Sequence, residues 1–188
     1  MCMYERIKGK GLAMNSAFRS HIRRTVAALV SGAVVFCASP AAFAATNLGT
    51  FDFWTAWTDT DGGGKICYVS STPQTTEPSN VNRGAIHFIV TMRPTNRNEV
   101  ATIVGYPIHE TNANASVSVD GRSYPMVTQG ESGWLASIED EPGFVGAMRA
   151  GSNMVVRATS QRGTDTVDTY SLRGVTAALN EANEECPQ

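Results

Sequence analysis

Arg162-Gly-Thr-Asp165, with Asp168, Tyr170 and Arg173 close behind, is the densest group of chemically capable side chains in this sequence. Two guanidinium groups, two carboxylates and a phenol in one short stretch could hold a polar ligand or a partner's charged surface. A turn followed by an edge strand, its exposed face charged to deter pairing with another sheet, would account for the same residues. Arg162, Asp165, Asp168, Tyr170 and Arg173 therefore form the candidate interaction surface.

Catalytic and metal chemistry find less support. Asp59-Thr-Asp61-Gly-Gly-Gly64 has the spacing of the start of a calcium loop, yet its fifth position is Gly63 and its twelfth is Ser70 where a bidentate Glu is needed. A hairpin turn is expected there instead. His87 alternates with apolar neighbours, and neither it nor His109 sits in a His-x-His or His-Glu-x-x-His spacing. Gly-x-Ser-x-Gly, Ser-x-x-Lys and Cys-His arrangements are also missing. The expectation is no catalytic residue, no metal ligand set and no cofactor.

The chain of 188 residues carries a formal charge of −2, but that charge is unevenly spread. Residues 1–24 hold Arg6, Lys8, Lys10, Arg19, Arg23 and Arg24 against Glu5, and the stretch from Thr25 to Cys37 is uncharged and mostly apolar. Pro40 and Ala42-Phe-Ala44 follow, which completes the pattern of a secretory signal peptide cleaved between Ala44 and Ala45, with Met14 as a plausible start. Uncleaved, Thr25 to Thr46 is long enough to span a bilayer, so membrane attachment is expected only through this segment. Removing residues 1–44 takes six of the 15 basic and one of the 17 acidic residues, leaving −7 over residues 45–188. A domain so acidic repels phosphate backbones and anionic lipid, so nucleic acid is not an expected partner. Export to the periplasm or cell envelope is expected. Of the four cysteines, only Cys67 and Cys186 lie beyond the signal region. An isolated pair in an oxidising compartment forms a disulfide; two free thiols or metal ligands are the alternative, without a C-x-x-C spacing or a nearby His to support it.

The elements that must position these groups read mainly as strands. Phe51 to Trp57 and Lys65 to Ser71 flank the Asp59–Gly64 turn as a hairpin, with Trp54 and Trp57 on opposite faces. From Gly84 to Met92, Ile86, Phe88, Val90 and Met92 share one face. Glu99 to Tyr106 follows, with Val100, Thr102, Val104 and Tyr106 on one side. Asp120-Gly121 between Ser116–Val119 and Arg122–Val127 signals a second hairpin. A short helix near 140–150 should start with Asp140 near its cap, and Asn153–Thr159 and Thr166–Leu172 make a further strand pair. Val175, Ala178, Leu179, Ala182 and Cys186 at helical spacing close the chain. Short strands with few helices favour one β-sandwich domain over residues 45–188, with a C-terminal helix.

Gly64-Lys-Ile-Cys-Tyr-Val-Ser-Ser71, Asn82-Arg-Gly84, Val90-Thr-Met-Arg-Pro94, Asn98-Glu-Val100, Gly105-Tyr-Pro107 and the run from Arg162 to Gly174 together resemble the invasion-associated locus B family. Ala177-Ala-Leu179 and Cys186 add to the match, which runs from about Trp54 to Cys186 with Gln129 to Gly143 outside it. The resemblance implies a bacterial, alphaproteobacterial envelope protein with an immunoglobulin-like sandwich. Family members are linked to host-cell invasion in some pathogens and occur in free-living relatives, and the family supplies no catalytic residue to carry over. The leading expectation is a non-enzymatic binding module whose partner is an envelope or surface protein. A small periplasmic hydrolase or ligand-binding enzyme using the Arg162–Tyr170 surface, and a structural envelope protein, are the alternatives.

Overall fold

The computed structural model describes residues 44–62, 64–93 and 98–187. The expected leader with Met14, Cys2 and Cys37 lies outside the described residues, as does all of the signal region ahead of Ala44. Among the described residues no helix is long and apolar enough to cross a membrane.

Eleven strands alternate with two helices only late in the chain. They are β1 (Thr46–Phe51), β2 (Trp54–Asp61), β3 (Gly64–Ser71), β4 (Thr75–Glu77), β5 (His87–Met92), β6 (Glu99–Ile103), β7 (Ser116–Val119), β8 (Arg122–Gln129), β9 (Ser132–Leu135), β10 (Asn153–Thr159) and β11 (Asp165–Ser171). Between β9 and β10 lies α1 (Glu141–Ala150), and α2 (Val175–Glu185) follows β11. The strands join antiparallel in one ladder ordered β1-β2-β3-β5-β6-β9-β8-β7-β10-β11-β4. The mainly β class is as expected.

The ladder folds over at β8. Arg122–Pro125 pair with β7, while Met126–Gln129 pair with β9, so one strand serves both layers of a sandwich-like fold. At the other margin the chain crosses between layers from β3 to β4, which pairs with β11. Period-two alternation then sends one face of each strand inward. Phe88, Val90 and Met92 of β5 are buried, as are Cys67 and Val69 of β3 and Met154 and Val156 of β10. Phe88 sits at the centre, with ring centroids 6.3 Å from Trp54, 5.8 Å from Tyr170 and 6.0 Å from Phe144 of α1. Fully burying such a side chain contributes about 1.5–3 kcal/mol, and each well-placed aromatic pair adds about 0.5–1.5 kcal/mol. Trp54 is buried and Trp57 half-buried, which matches their expected opposite faces.

Local chemistry sets the turns. Asp120 and Gly121 adopt φ of 45° and 91°, the positive values that a two-residue hairpin between β7 and β8 requires. The first hairpin closes at Asp61 and Gly64, and its leading strand starts later and runs further than the expected Phe51–Trp57, because a turn at Asp52-Phe53 separates β1 from β2 and the strand continues to Asp61. Asp140 stands at the N-terminus of α1 without capping it. The residues Ile138–Asp140 form a 3-10 turn that runs straight into the helix, so Asp140 already has helical backbone angles and its carboxylate accepts no cap hydrogen bond. Glu141 is buried instead, and its Oε1 accepts from the Val100 N–H at 3.3 Å.

Helix α2 buries Val175, Ala178, Leu179 and Ala182 and contacts β1, β2 and β3. At its end Cys186 forms a disulfide with Cys67, with Cα atoms 6.0 Å apart and 119 residues between them in sequence. The expected crosslink is therefore present. Lys65 pairs with the Glu185 carboxylate beside it.

Candidate functional site

Arg83 follows Val81-Asn82 on the approach to β5, and its side chain turns inward. Nη1 and Nη2 donate to Asp168 Oδ1 and Oδ2 at 2.7 and 2.6 Å, a bidentate pair whose side chains are only 6% and 1% exposed. Nε and Nη2 also donate to the Val104 carbonyl at 3.1 and 2.8 Å. The planar fork matches a carboxylate, and the extra carbonyl bonds satisfy donors that would otherwise be stranded in the interior. The same guanidinium lies 5.0 Å from the Tyr106 ring centroid, within cation–π reach.

Tyr106 is fixed at both ends. Its hydroxyl lies 2.6 Å from Thr166 Oγ1, which itself donates to the Ala158 carbonyl at 3.3 Å. A threonine has one hydroxyl proton, so Tyr106 is the donor in that first bond. Just before it, Gly105 has φ of 73°, and a Cβ there would stand 2.6 Å from the Gly84 carbonyl oxygen. The Gly84 N–H donates to the Gly105 carbonyl at 2.7 Å, locking the two segments together. Gly105→Ala is expected to destabilise the domain by about 2 kcal/mol through backbone strain and this clash. Chemical denaturation checks it, and an unchanged midpoint would contradict the close approach.

Over these groups opens a cleft of about 450 Å³, whose lining includes Arg83, Tyr106, Pro107, Glu131, Gln161 and Arg162. Four stretches far apart in the chain thus meet at one place: Val81-Asn-Arg83, Gly105-Tyr-Pro107, Glu131 and the run from Ser160 to Thr166. Its volume falls in the range of about 300–1,000 Å³ typical of small-ligand sites. Ser160 lines it too, but that hydroxyl accepts the Thr164 N–H at 3.1 Å to hold the turn. His109 lies outside the lining, and its Nδ1 accepts the N–H groups of Thr111 and Asn112 at 3.3 and 3.1 Å. Asp61 pairs with Arg93, and among the described residues no three His, Cys, Asp or Glu side chains gather as a metal site would need.

The candidate interaction surface divides. Arg162 is exposed and lines the cleft. Asp165 is exposed at the start of β11, accepts from Thr159 Oγ1 at 2.6 Å, and lines a separate hollow of about 220 Å³. Arg173 lies beyond the far end of the strand, and that end at Ser171 is itself roughly 20 Å from Asp165 at the usual rise per residue; Arg173 pairs with Asp52 at 3.1 Å and covers the Phe53 ring. Asp168 and Tyr170 are not on the surface at all. They share the inward face of β11 with Thr166, and both are fully buried. Nor is β11 an edge: β10 and β4 flank it, and three-residue β4 is the margin of that layer. Arg83, the residue that organises the cleft, is missing from the sequence-based set, although its Asn82-Arg-Gly84 block stood out.

Burial raises the Tyr106 and Tyr170 hydroxyls above the ordinary tyrosine range, and Asp168 nearby adds to the rise at both. The Tyr170 hydroxyl is buried without a hydrogen-bond partner in ordinary geometry. Below the unfolded tyrosine value of about 10, both states keep these protons and stability is unaffected. Above it the unfolded chain releases them and the folded domain holds them, so stability falls as pH rises. Alkaline titration followed by phenolate absorbance is expected to show these two tyrosines ionising late and together with unfolding; free titration of all tyrosines in the folded state would contradict it.

Comparison with known proteins agrees with the sequence blocks. The chain matches the family model described as Invasion associated locus B (IalB) protein over residues 54–183. No curated protein matches it. Among solved structures, invasion associated protein B from Bartonella henselae is similar, with a TM-score of 0.54 and 18% identity, covering 74% of this chain and 96% of that one. At such identity the likeness is one of fold. The matched residues take in β2 through most of α2 and every wall of the cleft, and on that match the chain belongs to the invasion associated locus B family.

Proposed function

We propose that this protein is exported to the periplasm or cell envelope and acts there as a non-enzymatic binding module, engaging an envelope or surface protein at the cleft beside Arg162. The convergence of four distant chain segments on one cleft, held by the buried Arg83–Asp168 pair, carries the proposal. A rigid floor beneath an exposed cation is how recognition sites are preorganised. Export is supported by the basic and apolar N-terminal pattern and by a disulfide, a bond that persists in oxidising compartments. A binding role rather than a reaction is supported by the engaged state of Ser160 and the position of His109 outside the cleft.

Fractionation with crosslinking in intact cells tests this. The protein is expected in the envelope fraction, crosslinked to a specific partner, and Arg162→Glu is expected to abolish the adduct while leaving the melting temperature unchanged. Repeated recovery of the uncrosslinked protein, or the same adduct from the variant, would overturn the assignment.

A further inference from the structure

We infer that the cleft receives a short segment of the partner protein that presents both an ammonium and a carboxylate, the first read by Glu131 and the second by Arg162. This rests on the binding-module reading above and names the ligand class of the same site.

Charge is the first observation. Arg83 lies in the cleft floor, but Asp168 neutralises it and its donors are committed to Asp168 and the Val104 carbonyl. The charges left to meet a ligand in the lining are therefore Glu131, on the β8–β9 turn, and Arg162, on the β10–β11 turn. Neither side chain makes a hydrogen bond or ion pair with the described residues, and the two do not bridge to each other. Opposite charges at one cleft that do not close on each other leave a gap for a ligand of the reverse polarity.

Backbone anchoring is the second. The Val104 N–H donates to the Glu131 carbonyl at 2.9 Å and the Ile108 N–H to the Gly130 carbonyl at 2.8 Å. On the other wall the Gln161 N–H donates to the Pro107 carbonyl at 2.9 Å. Both turns are thus tied to the one segment Val104–Ile108, which sets the spacing of the two turns before any ligand arrives. Apart from the neutralised Arg83, the rest of the lining is uncharged. Tyr106 and Pro107 offer apolar surface, and the side-chain amides of Asn82 and Gln161 suit the donors and acceptors of peptide bonds. A neutral sugar would use neither charge, and a lone amino acid would leave much of the volume unfilled.

Isothermal titration of the purified oxidised protein with trialanine tests the inference, alongside its N-acetylated, C-amidated and doubly blocked forms and a neutral disaccharide. Trialanine is expected to bind, and each single block to weaken binding by about tenfold or more, the usual range for a charged hydrogen bond. Arg162→Ala is expected to bind trialanine and its amide equally, and Glu131→Gln to bind trialanine and its acetyl form equally. Both variants alter exposed turn residues and should melt as the wild type does. Equal binding of the doubly blocked peptide, or binding of the disaccharide in preference, would overturn the assignment. So would failure of every peptide; if Arg162→Glu still abolished the crosslinked adduct, only the ligand class would fall and the binding-module reading would stand.

Discussion

Asp168→Ala is expected to destabilise the domain by about 3–5 kcal/mol, the cost of leaving a buried charge without its partner. For a domain of this size that lowers the melting temperature by roughly 10–15 °C. The Arg83 side chain is only 6% exposed, so the loss of the carboxylate leaves a guanidinium whose remaining hydrogen-bond acceptor is one carbonyl. The reciprocal Arg83→Ala should cost as much and should also release Tyr106, whose ring the guanidinium covers. A double variant, Arg83→Met with Asp168→Leu, is expected to recover much of the stability, because two apolar groups need no mutual neutralisation. It should not recover partner binding, since the Val104 and Tyr106 contacts that shape the floor are gone. Thermal melts of the four proteins check these expectations. An Asp168→Ala protein within about 1 kcal/mol of wild type would show that the pair is not the keystone of the cleft.

Breaking the crosslink is the second large effect. Cys67→Ser is expected to destabilise the oxidised protein by about 2–5 kcal/mol, since closing a long loop removes much of the unfolded chain's freedom. The bond spans 119 residues and joins the inward face of β3 to the end of α2. Helix α2 has only 11 residues, too few to persist alone in water, and its buried face is small, with alanines at 178 and 182. The loss should therefore be local first. Amide exchange in Val175–Glu185 is expected to rise well before that of β5 or β10. Cys186→Ser and reduction of the wild type should match it. Equal melting temperatures and unchanged α2 exchange would falsify the structural role of the bond.

Most strands were legible because their apolar residues alternate and strong turn residues stand between them. Phe88, Val90 and Met92 announced β5, and Asp120-Gly121 announced the β7–β8 hairpin. Strand β1, with Asn47 and Gly49 in six residues, has no such alternation and is held by pairing to β2. Three-residue β4 is too short to carry a period. The passage of β8 between layers depends on which neighbours pair with each half, and no local pattern encodes that. At the site, Arg162 was legible as an exposed cation in a glycine turn. The misplacing of Asp168 and Tyr170 came from weighing charge over period: Thr166, Asp168, Tyr170 and Leu172 fall on one face, and an acid on an otherwise inward face signals a buried partner. That partner, Arg83, is 85 residues away in sequence, a distance at which spacing carries no information.

The strand shared between layers bears on how the molecule can come apart. Because β8 belongs to both sheets while β4 from the first half of the chain closes the second sheet, neither layer is a contiguous piece of sequence. A nascent chain cut anywhere before β9 would carry β6 with a bare edge, and one released before β11 would leave β4 with nothing to join. Partial structures of this kind gain few of the pairings that offset their ordering, so assembly waits for the whole sequence and proceeds on the slow millisecond-to-second scale of non-local β topologies. Once formed, the molecule has no seam along which a pull could peel one layer from the other without tearing β8 from a neighbour.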